Sequence, residues 1–89
     1  MNLEKLIKTS IKNKKIVIGY EKIRKLLKTS SSLELIILAK NTPKNIKDEL
    51  EYNAKIGKVE VKTYEGTGVE LGNVCGKPFP ISVIGILKR

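Results

Sequence analysis

Two spacings of apolar residues alternate along this chain. Near the start, Leu3, Leu6, Ile7 and Ile11 recur at three- and four-residue intervals with Lys5, Lys8 and Lys12 off that stripe. This spacing predicts an amphipathic helix, for which Asn2 offers an N-cap. Ile16, Val17 and Ile18 then form a short apolar run closed by Gly19, which reads as a buried strand. Ile23, Leu26 and Leu27 restore the helical stripe and leave Lys22, Arg24 and Lys25 to solvent or a partner. From Leu33 to Ala39 the chain is almost continuously apolar, as in a central strand covered on both faces. Thr42 and Pro43 read as N-cap and first residue of a third helix. Its expected buried stripe is Ile46, Leu50, Ala54 and Ile56; Asp48 and Glu49 lie near its N-terminus, where the dipole favours acids, and Gly57 ends it. Val59 and Val61 alternate with Lys58, Glu60 and Lys62, the pattern of a half-exposed strand. Thr67 and Glu70 have capping-box spacing at the head of a short helix limited by Gly72 and Gly76. Ile81 to Leu87 reads as a last buried strand.

The resulting order, α-β-α-β-α-β-α-β, predicts an α/β fold with helices on both faces of one sheet. The last connection is a single short helix and a Pro-rich loop, which suggests a mixed sheet. With 89 residues the chain is expected to be one domain with one modest core.

Charge adds a partner to this picture. Residues 1–45 carry eleven basic and three acidic side chains, a net +8; residues 46–89 carry seven and six, a net +1. A positive charge gathered in one half points to a polyanion, nucleic acid ahead of membrane, against the plainer reading of a lysine-rich soluble surface. No apolar run approaches the ~20 residues of a membrane span. Lysines break up the first apolar positions, unlike a secretory leader. One cysteine cannot form an internal disulfide, so a reducing cytoplasm is the simplest expectation.

Catalytic chemistry finds little footing. Histidine is absent, which removes the commonest general base and metal ligand. There is no CxxC, no GxxxxGK[ST], and "GTGVELG" has the wrong spacing for a dinucleotide loop. Cys75 reads as a small buried hydrophobe. The expectation is no enzyme, no catalytic residue, no metal, no cofactor and no small-molecule substrate.

Binding residues gather better. Three segments are expected at one end of the sheet: Gly19-Tyr20-Glu21-Lys22, Lys40-Asn41-Thr42-Pro43 and Lys77-Pro78-Phe79-Pro80. Two of them start helices, whose free N–H groups and positive dipole ends suit phosphates. Asn41 carries donor and acceptor for a base edge, or serves only as a turn residue. Phe79 is either a stacking surface on a proline-stiffened loop or a plug for the core beneath the last strand. The functional readings of these segments together point to irregular RNA rather than duplex DNA.

The stretches "GYEKIRKLL", "ILAKNTPKNIKDELEYNAK" and "GTGVELGNVCGKPFPISVIGI" resemble the kink-turn RNA-binding ribosomal protein family, in its archaeal and eukaryotic large-subunit branch, the thirty-e type. The resemblance runs over residues 3–87 without a gap, and "LAKNTP", "ELEY" and "ELGNVCGK" carry most of it. It implies a three-layer α/β/α sandwich around a four-stranded mixed sheet, with residues 1–89 forming a single kink-turn-type RNA-binding domain. It implies a structural role in the cytoplasmic ribosome, in contact with ribosomal RNA and neighbouring large-subunit proteins and with no membrane. By position, Gly19 and Tyr20 would bring the second helix close to the RNA backbone, with Lys22 in the same segment and Lys25 meeting phosphate. Asn41 and Thr42 would address a base or sugar-phosphate at the kink. Lys77 would be a rim charge, and Pro78 with Phe79 would pack on an extruded base. Glu21 departs from the family's polar or basic residue at that place. Gly-Tyr-Glu-Lys also lacks the Asn of the guide-RNA branch, which favours the ribosomal branch. The alternative of another class is a stand-alone interaction module of the same fold, binding protein or non-ribosomal RNA.

Overall fold

Helical and extended segments alternate as their apolar periods predict. The computed structural model describes residues 3–29 and 33–87. The elements are α1 (Leu3–Lys12), β1 (Ile16–Ile18), α2 (Tyr20–Thr29), β2 (Leu33–Leu38), α3 (Lys44–Ile56), β3 (Glu60–Thr63), α4 (Gly68–Val74) and β4 (Val83–Leu87). The expected cap at Asn2 lies outside the described residues.

The strands form one sheet in the order β1-β4-β2-β3. β4 runs antiparallel to both β1 and β2, and β2 is parallel to β3, so the sheet is mixed. Its register pairs Ile18 with Ile84 and Leu38 with Val83. The C-terminal ends of β1 and β2 therefore meet the N-terminal end of β4 along one rim.

Each face of the sheet has its own core. Ile7 of α1 and Leu71 of α4 pack with Leu35, Ile37, Ile84 and Ile86 on one face. Ile23 of α2 and Leu50 and Ala54 of α3 pack with Leu33, Ile36, Leu38 and Val83 on the other. The result is a three-layer α/β/α sandwich. Ile7, Ile23, Ile36 and Leu50 are completely buried, each contributing roughly 1.5–3 kcal/mol by removal from water.

Several expectations shift by a residue or a layer. The Ile16–Ile18 strand is half-buried rather than buried, because β1 is an edge strand paired only with β4. Ile56 is 66% exposed and leaves the stripe of α3, since it stands two residues past Ala54, on the opposite side of the helix. The N-cap of α3 is Pro43, with extended ψ of 140°, and its first turn holds no acid. Thr42 is not the cap because its hydroxyl donates to the Ser82 carbonyl at 3.1 Å. The regular part of the last strand begins at Val83, two residues after Ile81, whose N–H is taken by the Gly68 carbonyl of α4. The capping box of α4 is present: Thr67 Oγ1 accepts from the Glu70 N–H, and Glu70 Oε1 accepts from the Thr67 N–H.

Candidate nucleic-acid interface

The rim where β1 and β2 end and β4 begins is held together by a short list of hydrogen bonds. The Gly19 N–H donates to Val83 O at 3.2 Å, and the Ala39 N–H donates to Ser82 O at 2.8 Å. The Lys40 N–H reaches Gly66 O at 2.9 Å, which ties the turn before α3 to the loop before α4. The Gly68 N–H donates to Asn41 Oδ1 at 3.0 Å. All three predicted segments and the head of α4 thus share one end of the sheet.

Gly19 sits at φ +112°, a region that side-chain-bearing residues avoid, and its carbonyl accepts the Ile23 N–H. The chain can therefore turn from β1 straight into α2. Nothing lies within 4 Å of where a Cβ would stand, so the backbone there is open to close approach. The first amides of α2 lack intrahelical partners by the geometry of any helix start, which makes this ten-residue helix an anion-binding end.

The loop carrying Phe79 is strapped to α4 at both ends. The Lys77 N–H donates to Gly72 O and the Ile81 N–H to Gly68 O, each at 2.9 Å. Between the straps the Phe79 carbonyl rests against Gly72, where no side chain fits. Phe79 itself is 51% exposed, so it is a surface residue and not a core plug. Pro78 and Pro80 beside it are also exposed.

Phe79, Lys77, Lys22 and Gly19 line one open groove of about 670 Å³, whose apolar wall is Ile11, Ile16, Val17, Ile18 and Cys75. A second groove shares Lys22 and Val17 and adds Lys25 and Leu26. An aromatic ring on an apolar floor with three lysines along the margins can stack a base and hold phosphate. Cys75 is buried, and burial pushes its thiol above the ordinary range, with Lys77 pulling weakly the other way. That suits a structural residue. Glu21 is exposed and lines neither groove.

Three expected contact residues have other engagements, the first being Thr42, whose hydroxyl is bonded to Ser82 O. Tyr20 turns toward α3, where its hydroxyl donates to Glu49 Oε2 at 2.6 Å. That bond and partial desolvation hold the phenol above its ordinary pKa, so it stays a donor. Asn41 spends its side-chain oxygen on α4; its amide NH₂ has no hydrogen-bond partner among the described residues. The apolar wall from β1 and α1 was missed in the sequence because those isoleucines read only as core. The spacing of Gly68 and Gly72, four residues apart on one face of α4, is the signal that could have located the docked loop.

Among the described residues no group of His, Cys, Asp and Glu side chains is arranged to hold a metal ion, and no helix is long and apolar enough to cross a membrane.

The fold is thus that of a small three-layer α/β/α sandwich with an exposed aromatic ring and lysines at one end of its sheet. The chain matches the model of the Ribosomal protein L7Ae/L30e/S12e/Gadd45 family over residues 1–89, and it belongs to that family. It is 40% identical over 84 residues to the large ribosomal subunit protein eL30 of Methanosphaera stadtmanae, covering 94% of this chain and 85% of that one. Among solved structures, it is similar to the 15.5kD RNA binding protein of Giardia lamblia, with TM-score 0.81 at 24% identity over 98% of this chain and 72% of that one. It is also similar to a protein of unknown function from Bacillus halodurans, with TM-score 0.82 at 22% identity over 93% and 81%. These two likenesses establish the fold. The curated relatives are ribosomal proteins and not enzymes, which agrees with the lack of catalytic residues read from the sequence.

Proposed function

We propose that this protein is a structural constituent of the large ribosomal subunit that binds kinked ribosomal RNA through the rim of Gly19, Lys22, Lys25, Asn41, Thr42, Lys77, Pro78 and Phe79. The relatives named as large ribosomal subunit proteins support the ribosomal role, in the cytoplasm and beside other large-subunit proteins. The observation that carries the RNA reading is the exposed Phe79 ring, which shares one groove with Lys22, Lys77 and the start of α2. A kink in RNA splays bases out of the stack, and an unstacked base needs a flat apolar partner beside phosphate-binding groups. The whole chain serves as one RNA-binding domain.

Tyr20 plays its part from the inside: its hydroxyl fixes the start of α2 rather than touching RNA. The test is co-sedimentation. The tagged protein should travel with large subunits at moderate salt. Recovery only in the ribosome-free supernatant would contradict the proposal.

A further inference from the structure

Glu49 lies on α3, outside both grooves, yet it touches α2 at two points. Its Oε2 accepts from the Tyr20 hydroxyl at 2.6 Å, and its Oε1 stands 3.2 Å from Arg24 Nε. Tyr20 is the first residue of α2, and Arg24 follows one turn later, about 6 Å along the axis. A short O–H···O⁻ bond is charge-assisted and stronger than a neutral one. Arg24 Nε is sealed from solvent and makes no hydrogen bond among the described residues, so its approach to Glu49 is an ion pair without hydrogen-bond alignment, while 42% of the side chain remains exposed. Its guanidinium is therefore drawn toward α3 instead of lying with Lys22 and Lys25.

We propose that Glu49 is a positioning residue of the RNA interface, which pins the first turn of α2 through Tyr20 and withholds Arg24 from phosphate. This rests on the RNA-binding reading given above. Phosphate contacts add affinity for any RNA and carry no information about its shape. A freed arginine one turn from the N-terminus of α2 would strengthen binding to regular duplex as much as to a kink. Holding that arginine back, and fixing the helix end whose amides face the ligand, leaves discrimination to Phe79, Asn41 and the fixed backbone. Glu49 thus gives up general affinity and gains selectivity for kinked RNA.

The test compares parent, Glu49→Gln and Glu49→Gln/Arg24→Gln, each titrated with a kink-turn RNA and an uninterrupted duplex RNA over a salt series. Glutamine can still accept from Tyr20 but no longer pairs with the guanidinium. Glu49→Gln should bind duplex roughly tenfold tighter, the factor for one new charge-assisted phosphate contact. Its salt slope should steepen by about one unit, and its preference for the kinked RNA should fall. The double variant should lose the gained slope. A merely structural role would lower the melting temperature and leave slope and preference per folded molecule unchanged, which would overturn the proposal. A gain that persists in the double variant, which carries the parent's net charge, would also overturn it, since the gain would then not come from Arg24. If the parent shows no preference for kinked RNA, the proposed function falls, and this inference with it.

Discussion

A methyl group on Gly72 would stand inside the van der Waals envelope of the Phe79 carbonyl oxygen. The bare face of α4 at this point is what lets the Pro-Phe-Pro loop lie flat on the helix and turn its ring outward. Gly72→Ala should therefore lower stability by roughly 1–3 kcal/mol through overpacking, which exceeds the gain of ~1 kcal/mol in helix propensity. It should also weaken RNA binding by displacing Phe79. Thermal melts and binding titrations check both, and a variant as stable and as tight-binding as the parent would refute the docked-loop geometry.

Phe79→Ala separates the ring from the loop. With half of the residue already in water, its removal should cost far less stability than the ~3–5 kcal/mol of deleting a buried Phe. RNA affinity should fall by about 1–3 kcal/mol, the loss of one base–aromatic contact. A large drop in melting temperature, with affinity per folded molecule unchanged, would place the RNA surface elsewhere.

Asn41 does two jobs that two substitutions pull apart. Asn41→Ala removes the acceptor for the Gly68 N–H and should cost roughly 0.5–1.5 kcal/mol of stability along with RNA affinity. Asn41→Asp keeps the acceptor and places a carboxylate at the head of α4, so the melt should hold. RNA binding should still weaken, because the charge faces phosphate. Equal RNA affinity for parent and Asn41→Asp would remove this residue from the interface.

The order of elements, the mixed sheet and both faces of the core were legible in the sequence, because each element carries its own apolar period. The misplacements have a common cause in contacts that no local pattern encodes. Thr42 yields the N-cap of α3 because Ser82, forty residues away, offers a carbonyl. The Tyr20 hydroxyl is bonded to Glu49 across the α2–α3 contact, a partnership that neither helix's own pattern announces. Phe79 could not be assigned inward or outward from a loop without periodicity; its exposure depends on Gly72, in another element. The grouping of Gly19, Lys22 and Lys77 was readable from topology alone, since strand ends and helix starts share one rim.

Tyr64 gives a pH signature independent of RNA. Burial first, and then the hydrogen bond to Glu4 Oε1 at 3.0 Å, raise its pKa above the ordinary 10.0. The folded state holds this proton more tightly than the unfolded state. Its contribution is therefore complete below pH 10 and is lost as pH rises through the raised value. Urea titrations of parent and Tyr64→Phe across that range should converge at high pH, with lysine deprotonation cancelling in the difference. A constant gap between the two would contradict the assignment.

Cys75 should behave as packing. Cys75→Val should change stability by about 1–2 kcal/mol and leave RNA affinity within a few-fold. The raised thiol pKa lowers the thiolate fraction, so alkylation at neutral pH should be slower than for an exposed cysteine. Full stability together with abolished RNA binding would make the thiol part of the interface.

The most direct measurement is a titration of the purified protein with a kink-turn RNA and with a duplex of the same length at several salt concentrations. The kinked RNA should bind more tightly throughout. Its log affinity should fall linearly with log salt, by about 0.7 to 0.9 for each lysine–phosphate contact. Equal affinity for the two RNAs, or an affinity that salt does not change, would contradict RNA recognition by this rim.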